Sequence, residues 1–130
     1  MTLGIALRSP NTLTMARLVH ILAAAPGLRA GLRAELGGLP GVALEEHDSA
    51  AQLSSGDIVI APVSECSPHR CAELVASGAC VIVLAALPTE AERQRYWTTG
   101  ANAYVPMTPG STELADAVLA AAEEPARASR

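Results

Sequence analysis

Two short runs in the middle of the chain leave little choice of architecture. Ile58 to Ala61 (IVIA) and Cys80 to Leu84 (CVIVL) are apolar at every position and rich in β-branched residues. Such runs read as strands buried on both faces, the kind found inside parallel sheets. Between them stand Ser67-Pro68, a helix N-cap followed by proline at the first helical position, and Gly78, the matching C-terminal signal. Strand, helix, strand in so short a span is a βαβ unit with a right-handed crossover.

The same alternation extends outward. Leu3 to Leu7 is a candidate first strand, broken by Ser9, Pro10 and Asn11. Asn11 or Thr12 can cap a helix to about Ala25, with Leu13, Leu18, Ile21 and Leu22 on one face and Pro26-Gly27 as its stop. Leu28 to Leu39 has helical spacing weakened by Gly31, and its assignment stays open. Val42 to Glu46 alternates like a half-exposed strand, and Asp48 or Ser49 can cap a short helix ending near Ser55-Gly56. Past the central unit, Thr89 and Glu92 form a T-x-x-E capping box for a helix through Trp97. Ala103 to Val105 is a fifth strand, and Ser111 caps a last helix to about Ala122. Five repeats of strand and helix predict an α/β, single-domain, flavodoxin-like (βα)5 doubly wound parallel sheet, strand order 2-1-3-4-5. Residues 1–122 form that domain, and residues 123–130 are a polar tail or the start of a linker.

Composition narrows the chemistry. Half of the 130 residues are apolar, there is no phenylalanine, and the core must be built from Ala, Val, Leu and Ile. Every basic residue is arginine. Without lysine there is no Schiff base and no lysine to hold a phosphoryl oxygen. The net charge of −4 argues against direct nucleic-acid binding by this domain. Three cysteines and the lack of a basic, apolar leader pattern predict a reduced, cytoplasmic protein with no membrane association.

The C-terminal stretch GANAYVPMTPGSTELADAV, Gly100 to Val118, resembles the end of a two-component receiver domain, G-A-D-G-Y-L-x-K-P followed by an acid-rich helix. Val81 to Ala86 (VIVLAA) is similar to the fourth receiver strand, and DIVIAP, Asp57 to Pro62, to D-L-V-L-L-D. LRSPNTLTMARLVHILAAAPGL is similar to the start of NarL/LuxR-type receivers. The resemblance implies an atypical, or pseudo-, receiver. Carried over residue by residue, it puts the Mg²⁺-holding acids on Ser9 and Pro10 and the phosphoacceptor aspartate on Pro62. The phosphoryl-sensing Thr/Ser falls on Ala85, the lysine on Met107 and its following proline on Thr108, while the switch aromatic survives as Tyr104. Aspartyl phosphorylation needs a carboxylate nucleophile, oxygen ligands for a divalent cation and a cation for the phosphoryl oxygens. None of these residues supplies them. Asp57 lies at the wrong end of its strand, and Glu65 is a lone carboxylate near the mouth.

The resemblance thus implies a non-enzymatic, phosphorylation-independent regulatory module that needs no cofactor. Its setting would be a response-regulator transcription factor, working as a homodimer or by protein–protein contact, with a helix-turn-helix DNA-binding domain beyond Arg130. The alternative is a small-molecule, end-product sensor. Its crevice would be lined by Ser9, Pro10, Pro62, Val63, Ser64, Ala85, Ala86 and Met107, either open to a ligand or filled by side chains. Tyr96, Trp97 and Tyr104 are a candidate interface or simple packing. Cys66, His69 and Cys71 (C-x-x-H-x-C) lack the second ligand pair of a zinc site, and no metal is expected. His20 is expected on a helix surface and His47 at a strand end.

Overall fold

The computed structural model describes residues 17–23, 25–40, 42–47, 56–108 and 111–123. They form five strands: β1 (Arg17–Leu22), β2 (Val42–His47), β3 (Ile58–Pro62), β4 (Cys80–Ala85) and β5 (Ala103–Pro106). Four α-helices accompany them: α1 (Pro26–Leu36), α2 (Pro68–Ala76), α3 (Glu90–Thr98) and α4 (Glu113–Glu123). The strands make one sheet in the order β2-β1-β3-β4-β5, and every pairing is parallel. The expected strand order is therefore present.

Side chains alternate across the sheet, as the two-residue period of a strand requires. Ile21, Ile58, Ile60, Ile82 and Val105 face α1 and α4, meeting Leu32, Leu36 and Val118. Val59, Ala61, Val81 and Val83 face α2 and α3, meeting Cys71, Leu74 and Tyr96. Every residue of β3 and β4 is buried. Each such aliphatic side chain contributes about 1.5–3 kcal/mol relative to exposure.

The largest departure from the sequence reading is at the N-terminal end of the described chain. Arg17 to Leu22, expected inside a helix, is strand β1, paired with β2 along Arg17↔Val42 to Leu22↔His47 and with β3 at Val19↔Ile58 to Ile21↔Ile60. Leu18, Ile21 and Leu22 fit a helical stripe, but a central strand covered on both faces shows no period-2 signal to oppose that reading. Pro26-Gly27 does not stop a helix. Pro26 sits in the first turn of α1, where its missing N–H has no intrahelical partner to lose. The 28–39 stretch is resolved by the same helix, which runs through Gly31. The candidate strand at Leu3 to Leu7 and the short helix before Ser55 lie outside the described residues.

Local signals set the other boundaries. Ser67 Oγ accepts the Arg70 amide at 3.1 Å at the start of α2. Ser111 Oγ accepts the Glu113 amide at 3.1 Å before α4. Gly100, just past α3, has φ 95°, and a Cβ there would stand 2.9 Å from Val75 Cγ1. Only glycine satisfies both the turn and the approach to α2. Among the described residues no helix is long and apolar enough to cross a membrane.

Candidate functional site

The sheet's C-terminal edge is built from the ends of β3, β4 and β5. β3 ends at Pro62, which pairs in register with Leu84. A proline is unusual in a central strand because it removes a ladder donor. Here the β1 ladder has already ended at Ile60, so the missing N–H falls where pairing on that side has stopped. A 3₁₀ turn, Val63 to Glu65, follows at once. β4 ends at Ala85, opposite Pro106, and the Met107 amide donates to the Ala85 carbonyl at 2.9 Å. Pro62, Ala85 and Met107 are thereby held side by side at one edge.

These strand ends open on a concavity of about 310 Å³ lined by Pro62, Val63, Ser64, Ala86 and Met107 together with Leu84, Leu87 and Glu92. Ala85 is buried in the strand behind it. Sequence reasoning missed Leu84, Leu87 and Glu92. Leu87 is 86% exposed on the rim. A second concavity of about 200 Å³ shares Leu84 and Met107 with the first and continues to Leu28, Gly31 and Leu114. No Cβ contact lies within 4 Å of Gly27 or Gly31, so that side of α1 is open. The i, i+4 glycine pair was the sequence signal for this groove.

Ser9 and Pro10 lie outside the described residues. In the sequence, Ala23, Ala24 and Ala25 follow β1. Alanine supplies no oxygen ligand. Glu92 is the one ionisable residue lining the first concavity, and its carboxylate accepts a hydrogen bond from the Tyr104 hydroxyl. Glu65 is exposed in the 3₁₀ turn and does not line it. Among the described residues no cluster of three or more His, Cys, Asp or Glu could hold a metal ion. The edge offers a small, mostly apolar surface, and no nucleophile or cation stands at the ends of β3, β4 or β5.

The aromatic residues divide. Tyr96 is 1% exposed; its ring stacks with Tyr104 at 6.0 Å, and its hydroxyl donates to the Cys66 carbonyl at 2.5 Å. It is a core residue, which removes it from the candidate interface. Its neighbour Trp97 points outward, 55% exposed, under the Arg93 guanidinium at 5.7 Å from the ring centroid. Burial, foremost, pushes the Tyr96 hydroxyl up to about 12. Burial and the Glu92 carboxylate likewise raise Tyr104.

Tyr104 also alters the expected capping box. Thr89 Oγ1 accepts the Glu92 amide at 3.1 Å, the first half of the box. The second half is relayed: the Thr89 amide donates to Tyr104 Oη at 3.3 Å, and the Tyr104 hydroxyl donates to Glu92. The start of α3 is thus tied to β5 through one phenol.

His20 is a second correction. It lies in β1, 1% exposed, with Nε2 2.9 Å from Asp57 Oδ2. Asp57 immediately precedes β3, so this pair sits at the end of the sheet opposite the crevice. His47 closes β2. His69 is exposed and pairs with Glu73 at 3.4 Å, while Cys66 and Cys71 are buried, so the C-x-x-H-x-C residues do not converge.

No protein-family model matches the chain, and no curated protein does. Solved structures do. ChrA, response regulator of a heme-sensing two-component system, matches with a TM-score of 0.64 at 24% identity, over 84% of this chain and 58% of its own. RcsB from Salmonella enterica serovar Typhimurium matches at 0.67 and 16% identity, over 79% of this chain and 66% of its own. The signal receiver domain of NarL from Mycobacterium tuberculosis matches at 0.67 and 16%, over 85% and 98%. The fold is that of response-regulator receiver domains, NarL-type receivers included. This chain spans only 58% and 66% of the lengths of ChrA and RcsB.

Proposed function

We propose that this chain is a phosphorylation-independent receiver, the regulatory domain of a response-regulator-type transcription factor. It acts by pairing with a second copy or by contact with another protein, in the cytoplasm, without catalysing a reaction. The observation that carries the reading is the trio Pro62, Ala85 and Met107 at adjacent strand ends of a receiver fold. A proline cannot be phosphorylated, and its neighbours cannot balance the charge of a phosphoryl group. RcsB is described bound to a promoter, and another match is a LuxR family DNA-binding response regulator from Silicibacter pomeroyi. Those likenesses support a helix-turn-helix partner domain in the same polypeptide. Two-fold DNA sites select two-fold dimers, so self-association alone can set output.

Incubation with acetyl phosphate, or with beryllofluoride and magnesium, tests the first half of the proposal. No stoichiometric adduct is expected by intact mass or fluorine NMR, and one would overturn it. Light scattering across a concentration series tests the second half: a concentration-dependent dimer is expected, and a strict monomer that also captures no regulator domain would refute it.

A second reading rests on the crevice itself. Its adjoining concavities are lined mainly by Leu, Pro, Val, Ala and Met, surfaces suited to an uncharged apolar metabolite. A ligand at a hundredfold excess over Kd would stabilise the fold by about 2.7 kcal/mol. Thermal-shift screening of apolar metabolites distinguishes this sensor from a purely associative module, because Met107→Arg would abolish the shift.

A further inference from the structure

Ser67 is the N-cap of α2, so Cys66 stands just before the cap and Cys71 at the fourth helical position. Side chains at those two positions meet at helix starts, and when both are apolar the contact is called a hydrophobic staple. In this protein both are cysteine. They are buried together, 1% and 0% exposed, beside Leu74 and Tyr96. The Cys66 thiol hydrogen-bonds the Cys71 sulfur. Thr99 Oγ1, at the end of α3, lies 3.1 Å from Cys71 Sγ and donates to the Tyr96 carbonyl at 2.6 Å. The surrounding backbone is pinned as well: the Cys66 amide bonds the Val63 carbonyl at 3.2 Å, and the Cys71 amide bonds the Ser67 carbonyl at 2.8 Å. Cys80, the third cysteine, lies in the core on the other face of the sheet.

The two sulfurs are not equivalent. The hydrogen bond with Cys66, foremost, lowers the Cys71 thiol, against the opposing effect of burial. Donation to Cys71, with burial, holds the Cys66 thiol up. The two thiols are thus pulled in opposite directions, and the lowered one is the better nucleophile. Ser64, Glu65 and Ser67, which flank Cys66 in the chain, are all exposed.

We propose that Cys66 and Cys71 are a reversible thiol–disulfide pair, a staple at the start of α2 that hydroperoxides close covalently and small thiols reopen. Cys71 sulfur attacks one oxygen of hydrogen peroxide; the O–O bond breaks and hydroxide leaves, taking up a proton as water. Cys71 is then a sulfenic acid. Cys66 sulfur attacks it; the S–S bond forms, the S–O bond breaks, and the departing hydroxide takes the Cys66 proton as a second water. The two sulfurs lose two electrons, and the two peroxide oxygens gain them. The loop so locked carries Val63 and Ser64, which line the strand-end concavity, and the Cys66 carbonyl that holds Tyr96. Oxidation therefore fixes one wall of the crevice.

The test is oxidation of the native, full chain by a small excess of hydrogen peroxide. The intact mass is expected to fall by about 2 Da, as one disulfide requires. Titratable thiols should drop from three to one, and peptide mapping at low pH should join Cys66 to Cys71. Dithiothreitol should restore all the thiols. Cys80→Ser should leave this behaviour intact. Cys66→Val, which keeps an apolar staple, should abolish the cross-link and leave a Cys71 sulfenic acid that dimedone traps. Persistence of all free thiols, a cross-link formed only in denaturant, or a bridge to Cys80 would overturn the proposal. The wild-type peptide map decides the matter even where Cys66→Val fails to fold.

Discussion

Pro62 is buried, lacks an amide hydrogen and opens directly into a turn, so its neighbours have packed around a side chain with no charge to accommodate. Pro62→Asp restores the missing carboxylate by itself and tests whether the loss is local. The variant is expected to form no beryllofluoride adduct by fluorine NMR, because Ala85 and Met107 still supply no hydroxyl or cation. A carboxylate set against Leu84 and Val63 should also lower stability by about 1–3 kcal/mol in urea titrations. At the other end of the sheet, His20→Leu keeps the bulk of the side chain and removes the 2.9 Å bond to Asp57. Leaving a largely buried carboxylate without that donor should cost about 1–3 kcal/mol by the same measurement. Asp57→Asn should cost less, since the amide still hydrogen-bonds the imidazole.

The elements that meet at Tyr96 and Tyr104 respond to pH together. The Tyr96 hydroxyl is shifted from 10.0 to about 12 in the folded chain, and Tyr104 moves the same way. A folded pKa above the unfolded one gives stability that is complete below pH 10.0 and is lost as pH rises toward about 12. The urea midpoint of the wild-type protein should fall across that window while phenolate absorbance rises. Tyr96→Phe should flatten the fall, at a cost of about 1–2 kcal/mol at neutral pH from the unpaired Cys66 carbonyl. These contacts also mark where sequence reading succeeds. β3 and β4 are legible because burial on both faces leaves an unbroken apolar run, and α2 and α3 because Ser67 and Thr89 announce their starts. β1 is not, because Leu18, Ile21 and Leu22 fit a helical stripe while a strand buried on both faces shows no period of two, and pairing with β2 and β3 decides the matter. Tyr96 and Trp97 are adjacent, so a helix turns one inward and the other outward; which is which depends on where the sheet lies. The crevice is legible from the rule that strand ends gather ligands. Leu87 and Glu92 were missed because a loop and a helix, rather than strands, carry them there.

For the molecule as a whole, Trp97 is the residue on which the proposed pairing can be tested. Trp97 is exposed, braced by Arg93, and stands on α3 beside β5. A tryptophan at the centre of an interface typically contributes about 2 kcal/mol or more. Trp97→Glu should therefore weaken self-association roughly thirtyfold in light scattering or sedimentation, with the far-ultraviolet dichroism of the folded chain unchanged. A dimer unaffected by this substitution would move the contact to another face.

Among the described residues β2 and β5 are the outer strands of the sheet, and they bear on how any such contact can be made. β5 is four residues long and closes on Pro106, and β2 carries Glu45 and Glu46 in succession. A neighbouring polypeptide that tried to lengthen the sheet beside β5 would meet a missing donor. Assembly by backbone zippering is thereby discouraged, and recognition is left to side chains on helical surfaces, where one substitution can retune it without disturbing the scaffold beneath.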